Sequence, residues 1–413
     1  MIMKILLINK FLYPRGGDAI STLETGRLLE GKGHKVWFWG MKHPLNRAFE
    51  YTEWFVDNSD LNAKPGISSK FKAAANILYS REAKEKIAFM LDECRPDIVH
   101  INNISHYISP SILYVIKKKN IPVVMTLRDM QMVCPTYLML SGNRPCEKCR
   151  NGCFYWCVLK KCTKGSYAKS ALNAVEMYLH HKIMHIYAAV DVFISPSIFL
   201  KEKIAEMGFG YEVVHLSNFI DAEDYPPIDS AGSRKMVYFG RLSHEKGIFT
   251  LLKAAKGIEM ELDIIGDGPI KGDIALFIKN NMLENIRIHG FLKGESLREK
   301  IKEAFAVIVP SECYENNPRA VLEAFALGKP VIASKIGGIP EMVKDNQTGL
   351  LFESGNTAEL NSKIRYALEN PGKFAAMGRA ARLSVKNDYN PDVHYNKLME
   401  IYGAALIKHE KKY

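Results

Sequence analysis

Residues 311–331 read SECYENNPRAVLEAFALGKPV, and this stretch decides how the chain is read. Arg319 to Leu327 are strong helix formers, and Gly328 with Pro330 behind it stops the run. Pro318 suits the start of that helix, where a missing backbone N–H costs nothing. Val331–Ser334 then reads as a strand. Glu315 falls in the loop before the helix and Glu323 lies inside it, eight positions on. A helix N-terminus collects anions, and carboxylates beside it accept hydrogen bonds from hydroxyls. The combination suits a ligand that carries both phosphate and many hydroxyls, as a nucleotide sugar does.

Outward from this stretch the chain is a series of short apolar runs between helical patterns. Strands are expected at Lys4–Asn9, Lys35–Trp39, 97–101, 122–126 and 191–195, with a helix over 21–32 and helical character over 63–93. From Lys235 a second series begins: strands at 236–239, 261–265, 286–289 and 307–309, with helices over 247–256, 269–281 and 295–304. Strands alternating with helices predict α/β domains with parallel sheets covered on both faces. Pro226-Pro227, within residues 218–233, has linker character. Two such domains in series leave a cleft between them, and ligands of open parallel sheets bind at the carboxyl ends of the strands. The segment 395–409 reads as an amphipathic helix able to cross back onto the first domain.

The 413 residues suffice for two or three domains, and 47% hydrophobic with 24% charged residues is ordinary for a globular chain. No run approaches the roughly 18 apolar residues of a membrane span. The apolar start leads straight into Gly16-Gly17 without a small-residue cleavage site, so it reads as a buried strand, and the expected location is the cytoplasm. The net charge of +11, concentrated at sites such as Lys117–Lys119 and Lys160-Lys161, favours phosphorylated ligands or an anionic membrane surface.

Four motifs follow strands. In FGRLSHEKG (239–247), Arg241 and Lys246 are cations suited to a diphosphate, each charged hydrogen bond contributing roughly 1.5–3 kcal/mol. A basic pair in a loop is by itself more often plain surface. In LDIIGDGP (262–269), Gly266 and Gly268 read either as a tight turn or as a close approach for a nucleotide. HGFL (289–292) ends at Leu292 and could offer backbone contacts to a base. Gly16-Gly17 sits between a strand and a helix, where backbone N–H groups can meet phosphate or sugar.

In this order, GRL-x₃-KG, IGDGP, E-x₇-E, Gly337-Gly338 and NQTGLLF resemble the retaining glycosyltransferases of family 4, over nearly the whole chain and most strongly from Lys235 to Phe352. The resemblance implies the GT-B fold, two Rossmann-like domains facing across a cleft. Residues 1–216 would bind the acceptor, 217–394 the donor, and 395–413 would return to the first domain. It implies that Arg241 and Lys246 bind the donor diphosphate and that Glu323 binds the ribose. Glu315 would contact the transferred sugar, with the backbone of Asn316 and Asn317 alongside. Gly16, Gly17, Gly266 and Leu292 would complete the donor site. The expected catalytic residues are Glu315, Arg241 and Lys246. No Asp-x-Asp pair occurs, so no cation is expected at the diphosphate and no cofactor is required. A UDP- or GDP-hexose donor and a polysaccharide or lipid-linked saccharide acceptor would follow, at the inner face of the membrane, with no nucleic-acid partner. A non-enzymatic nucleotide-sugar or nucleic-acid binder and a sugar-nucleotide epimerase of the same fold are the alternatives. One departure stands out: relatives carry histidine where this chain has Arg128. His100 and His106 lie near a strand end and can also reach the cleft.

Six of eight cysteines fall between Cys134 and Cys162, within an insert at 134–162. Dense cysteines in a chain without a secretion signal favour metal over disulfides. Similar inserts in family members imply Cys146, Cys149, Cys157 and Cys162 as a structural four-thiolate zinc set, leaving out Cys153. An iron–sulfur cluster and plain reduced thiols are the competing readings. Cys94 and Cys313 read as buried thiols.

Overall fold

A computed structural model describes residues 2–57, 74–228 and 232–412. Its frame is a pair of six-stranded sheets, every strand pairing within them parallel among the described residues. The first contains β1 (Lys4–Asn9), β2 (Lys35–Trp39), β3 (Ile98–Asn103), β4 (Val123–Thr126), β7 (Val192–Ser195) and β8 (Val213–His215), in the order β2-β1-β3-β4-β7-β8. The second contains β9 (Lys235–Phe239), β10 (Glu261–Ile265), β11 (Ile286–Gly290), β12 (Ala306–Val309), β13 (Val331–Ser334) and β14 (Gly349–Phe352), in the order β11-β10-β9-β12-β13-β14. A two-residue hairpin, β5 (Leu140–Ser141) with β6 (Arg144–Pro145), opens the cysteine-rich insert.

The continuous apolar runs explain the parallel pairing. Ile5, Leu6, Leu7 and Ile8 are fully buried, as a strand covered by helices on both faces requires. β12 behaves alike, with Val307 and Ile308 fully buried. The central strands are β3 and β4 in the first sheet and β9 and β12 in the second, and the segments that follow β4 and β12 meet across the domain boundary, Asn316 donating to the Leu127 and Arg128 carbonyls. Two α/β domains with parallel sheets, the expected architecture, are present. The expected helix over 63–93 lies partly outside the described residues; within them a helix runs Arg81–Cys94, capped by Ser80, whose hydroxyl accepts from the Ala83 N–H at 3.1 Å.

The C-terminal helix Pro391–Glu410 does cross back. Asn390 caps it, accepting from the Val393 N–H at 2.9 Å, and proline occupies its first turn. Leu398, Tyr402 and Ala405 are fully buried in the core of the first domain. The Tyr402 hydroxyl pairs with His100 Nδ1 at 2.8 Å, and His100 Nε2 pairs with Thr126 Oγ1 at 2.7 Å. His100 is therefore a packed hinge between helix and sheet, and His106 is likewise engaged, 3.2 Å from Glu176.

Burial pushes His100 down to about 3 and His394, on the same C-terminal helix, down to about 4. Both imidazoles hold a proton more weakly in the folded chain than at their ordinary 6.5. Their contribution to stability is complete above that value and is lost as pH falls from it towards 4, at up to about 1.4 kcal/mol per pH unit for each. Thermal melts from pH 7 to pH 4 should show the Tm falling through this window, with a shallower fall in His100→Gln; an unchanged slope in that variant contradicts the assignment.

Candidate functional site

The loop after β12 holds Glu315, Asn316 and Asn317, and its path is set from below. A Cβ added to Gly338 would stand 1.9 Å from the Asn316 carbonyl oxygen, and one on Gly337 2.3 Å from that of Glu315. Only glycines let the two loops touch. The contact is sealed by the Gly338 N–H, which donates to the Glu315 carbonyl at 2.8 Å. Gly247, at φ +69° behind the turn His244–Lys246, allows a comparable approach to the Pro310 carbonyl. Lys246 is thereby delivered to Glu315.

Lys246 Nζ donates to Glu315 Oε1 at 2.6 Å, and the Ser311 hydroxyl donates to the same oxygen at 2.6 Å. Both charged side chains are partly buried, at 27% and 14% exposure, so water screens the pair weakly. Burial opposes the charge on each. For Glu315 the Lys246 charge, with hydrogen bonds from Lys246 and Ser311, overrides burial and holds the carboxyl below its ordinary range. Glu315 in turn raises Lys246 above its ordinary range despite burial. At neutral pH the site holds a carboxylate and an ammonium side by side.

The helix Arg319–Ala326 follows, with Pro318 at its cap in extended conformation and no side chain capping its N-terminus. Glu323 lies on this helix and is paired with Arg319 Nε at 3.4 Å. Burial outweighs that partner and raises the Glu323 carboxyl above its ordinary range. Arg319 also spans the cleft: its two terminal nitrogens donate to both oxygens of Glu24, on the helix Gly17–Gly31, at 2.6 and 2.9 Å. Gly17 stands against the same arginine, an added Cβ falling 3.7 Å from its Cδ. Gly16 caps the same helix, and an added Cβ there would meet only Asp18.

Asn316 and Asn317 bind the other domain. The Asn316 amide nitrogen donates to the Leu127 and Arg128 carbonyls at 3.2 and 3.3 Å, and its oxygen accepts from the Ser197 hydroxyl at 2.7 Å. The Asn317 carbonyl accepts from Asn218 at 3.2 Å. The carboxylate of Glu341 caps the helix Ile198–Glu206 across the same boundary, accepting from the Ile198 and Phe199 N–H groups at 2.8 and 2.5 Å. Asn316 was expected to act through its backbone; its side chain is a cross-domain bridge.

Arg241, Gly266 and Leu292 have the following surroundings. Arg241 is exposed and meets the Tyr137 hydroxyl of the first domain. Gly266 packs on the turn after β9, an added Cβ falling 1.9 Å from the Gly240 carbonyl oxygen, so the tight-turn reading fits it. Leu292 packs its side chain against the core of the second domain. Residues that reading the sequence missed are Glu24, Asn102, Ser197, Asn218 and Glu341. Each acts through a partner far along the chain, and no local pattern marks them.

The zinc expectation for Cys146, Cys149, Cys157 and Cys162 is not supported: among the described residues no group of three or more His, Cys, Asp or Glu side chains is gathered to hold a metal ion. The eight cysteines are free thiols. Cys157 sits at 3.9 Å from the Thr163 hydroxyl, and burial, reinforced by neighbouring thiols, pushes Cys149 up and Cys162 up to about 12. Buried neutral thiols need no ligand charge between them. Cys94 and Cys313 are buried, as expected.

Comparisons with known proteins place the chain. A profile described as Glycosyltransferase Family 4 matches residues 15–224, and one described as Glycosyl transferases group 1 matches residues 226–384. Glycogen synthase of Mycobacterium tuberculosis is 30% identical over 227 residues, 52% of this chain and 54% of that protein; the chain thus spans about half the length of that relative. A Klebsiella pneumoniae protein described as an uncharacterized 42.6 kDa protein in cps region is 24% identical over 356 residues, 82% of this chain and 87% of its own. The solved structure of Anabaena HepE in complex with UDP and glucose superposes with a TM-score of 0.68 at 17% identity, covering 97% of this chain and 99% of that one. The fold is GT-B.

The Lys246–Glu315 pair generates a direct test. Lys246→Met and Glu315→Gln should each lower stability, because each strands a partly buried charge or acceptor, and the double variant should lose less than the sum. A coupling of about 0.5–3 kcal/mol is expected from a thermal or urea double-mutant cycle; additive losses would show that the two groups do not interact.

Proposed function

The chain belongs to the family 4 glycosyltransferases, and from that premise we propose that it transfers a hexose from a nucleotide sugar to a saccharide acceptor, with retention at the sugar carbon. The observation that carries the reading is the 2.6 Å contact between Lys246 and Glu315 beside the uncapped tip of Arg319–Ala326. The ammonium and the helix tip supply positive charge where a diphosphate would leave. Arg241 supplies a second cation at the mouth of the cleft. Glu315 accepts hydrogen bonds from hydroxyls of the transferred sugar, and Glu323 accepts from the ribose once Arg319 yields it.

The reaction follows from that placement. The bond between the sugar carbon and the diphosphate oxygen breaks, and negative charge gathers on the departing phosphate. Lys246, Arg241 and the helix N–H groups stabilise that charge without reorganising, which is the chief electrostatic means available to a site of this kind. The acceptor hydroxyl forms the new bond on the same face, and its proton passes to the departing phosphate oxygen. In this reading the side chains carry the charge of the diphosphate and no divalent cation is needed there. The donor would be a UDP- or GDP-hexose, a reading supported by the UDP and glucose in the HepE structure. The acceptor would be a polysaccharide or a lipid-linked saccharide, a reading supported by the glycogen synthase similarity.

The insert supports a place at an anionic membrane surface. Residues 144–182 carry eight Lys or Arg and two acids, Glu147 and Glu176. Glu147 is held by Lys203 and Tyr314, and Glu176 is buried against His106. Tyr155, Leu159 and Tyr167 stand exposed among Lys160, Lys161, Lys164 and Lys169. No helix among the described residues is long and apolar enough to cross a membrane.

Glu315→Ala and Lys246→Ala should each lower transfer by about 10²–10³-fold, the usual loss for a preorganised charge-stabilising group. One of UDP-, GDP- or ADP-sugars should raise the Tm of the wild-type chain, and chelator should leave that rise intact. Full activity in either variant, or no response to any nucleotide sugar by folded protein, rejects the reading. Co-sedimentation with vesicles rich in phosphatidylglycerol should fall when Lys160, Lys161 and Lys164 are changed to glutamate; unchanged sedimentation removes the membrane proposal.

A further inference from the structure

Arg128 follows β4 and lies beside the loop of Asn316. Two small cavities meet at it. One is lined by Glu24, His100, Thr126, Asn218 and His394, the other by Asn102, Asn103, Ser105, Asp129 and Gln131. Its guanidinium donates through Nε and Nη2 to Asn102 Oδ1 (Nε at 3.0 Å) and through Nη1 to Asn218 Oδ1 at 2.7 Å. Both partners are neutral amides. Three of the five N–H groups of an arginine are used in this way. One N–H remains on each terminal nitrogen.

Among the described residues no carboxylate is paired with this cation directly. Asp18 and Glu24 act on it only across space. Asp18 is hydrogen-bonded to Asn103 at 3.0 Å, and both oxygens of Glu24 are taken by Arg319. Burial pulls the guanidinium down to about 10, and Arg319 adds repulsion, so the group stays charged at neutral pH. Buried charges are ordinarily paired, because an isolated one is costly. Asn102 adds an independent observation. It is 3% exposed, and its amide nitrogen has no hydrogen-bond partner among the described residues. The orientation of that amide follows from Arg128, since only its oxygen can accept from the guanidinium. The spot therefore presents donors from two side chains, the half-buried Arg128 and the buried Asn102, with no carboxylate hydrogen-bonded to either among the described residues.

We propose that Arg128 and Asn102 together bind an oxyanion, a carboxylate or phosphate group borne by the transferred sugar or by the acceptor. Asn316, which holds the Arg128 carbonyl, ties this position to the loop of Glu315, so the anion would lie within the same cleft as the donor. The proposal deepens the transferase reading by making the substrates of this chain acidic, and it rests on that reading only for naming which substrate bears the anion.

Thermal melts of the full chain with inorganic phosphate and with glucuronate, against chloride at matched ionic strength, test it. Wild type should gain Tm with either oxyanion. Arg128→Met should bind them roughly tenfold or more weakly, the loss of a charge-assisted hydrogen bond, and should melt no lower than wild type when no oxyanion is added, because an uncompensated cation has been removed. Asn102→Asp supplies an internal counter-charge; it should likewise melt no lower and should lose the oxyanion response. This second variant decides the matter if Arg128→Met does not fold. Repeating the melts with the nucleotide sugar saturating names the source: a response that persists assigns the anion to the acceptor, and one that is suppressed assigns it to the transferred sugar. No response in wild type, or a full response in both variants, overturns the proposal, and does so without touching the transferase reading if nucleotide sugars still stabilise the chain.

Discussion

The contact between the Gly337-Gly338 turn and the loop at Glu315–Asn316 is the constraint on which the cleft depends. With an added Cβ only 1.9 Å from the Asn316 carbonyl oxygen, no other residue at Gly338 leaves that loop where it is. Held from below, the loop has three further attachments. Glu315 turns to Lys246 within its own domain, the Asn316 amide reaches Leu127, Arg128 and Ser197, and the Asn317 carbonyl meets Asn218. A short segment between a strand and a helix thus sets the position of the Glu315 carboxylate and also joins the two domains. Backbone approach controls side-chain chemistry here, and it does so through residues that carry no side chain at all.

Charge is distributed over the cleft in a consistent way. Lys246 is balanced by Glu315, and Arg319 is shared between Glu24 and Glu323. Separating the domains would break the forked Arg319–Glu24 pair and leave Arg319 with Glu323 alone. The same arginine thus couples the opening of the cleft to the availability of the carboxylate assigned to the ribose. A pair of this kind contributes little net stability beyond its desolvation cost, but it makes the closed arrangement specific. Arg128 is the exception in this balance, a cation whose nearest partners are amides, and it lies beside the same loop.

Much of the fold was legible because parallel strands buried on both faces leave continuous apolar runs. Lys4–Asn9 and Lys35–Trp39 match the expected bounds, and the strands expected in the second domain match within one or two residues, while β14 was not read as a strand. β8 was missed, since Val213–His215 is a three-residue strand whose run is too short to show a period. The expected helix after Pro318 and the returning C-terminal helix were marked by proline, caps and composition. The site was legible only where its residues share a local motif: Glu315 in the loop that leads into the helix of Glu323, Lys246 beside its glycine. Glu24, Asn102, Asn218 and Glu341 carry no such mark, because they act through contacts across the domain boundary or between neighbouring strands. The cysteines were conspicuous by count, but spacing along the chain does not fix where sulfur atoms point, and the side chains here turn to hydroxyls and to the insert's own small core.

The structure of the chain with a nucleotide sugar bound is the most direct measurement of the central claim. The account predicts the diphosphate within hydrogen-bonding distance of Lys246 Nζ, the sugar hydroxyls against Glu315, and the ribose against a Glu323 released from Arg319. A nucleotide seated elsewhere, with the Lys246–Glu315 pair undisturbed and Glu323 still on Arg319, would contradict it.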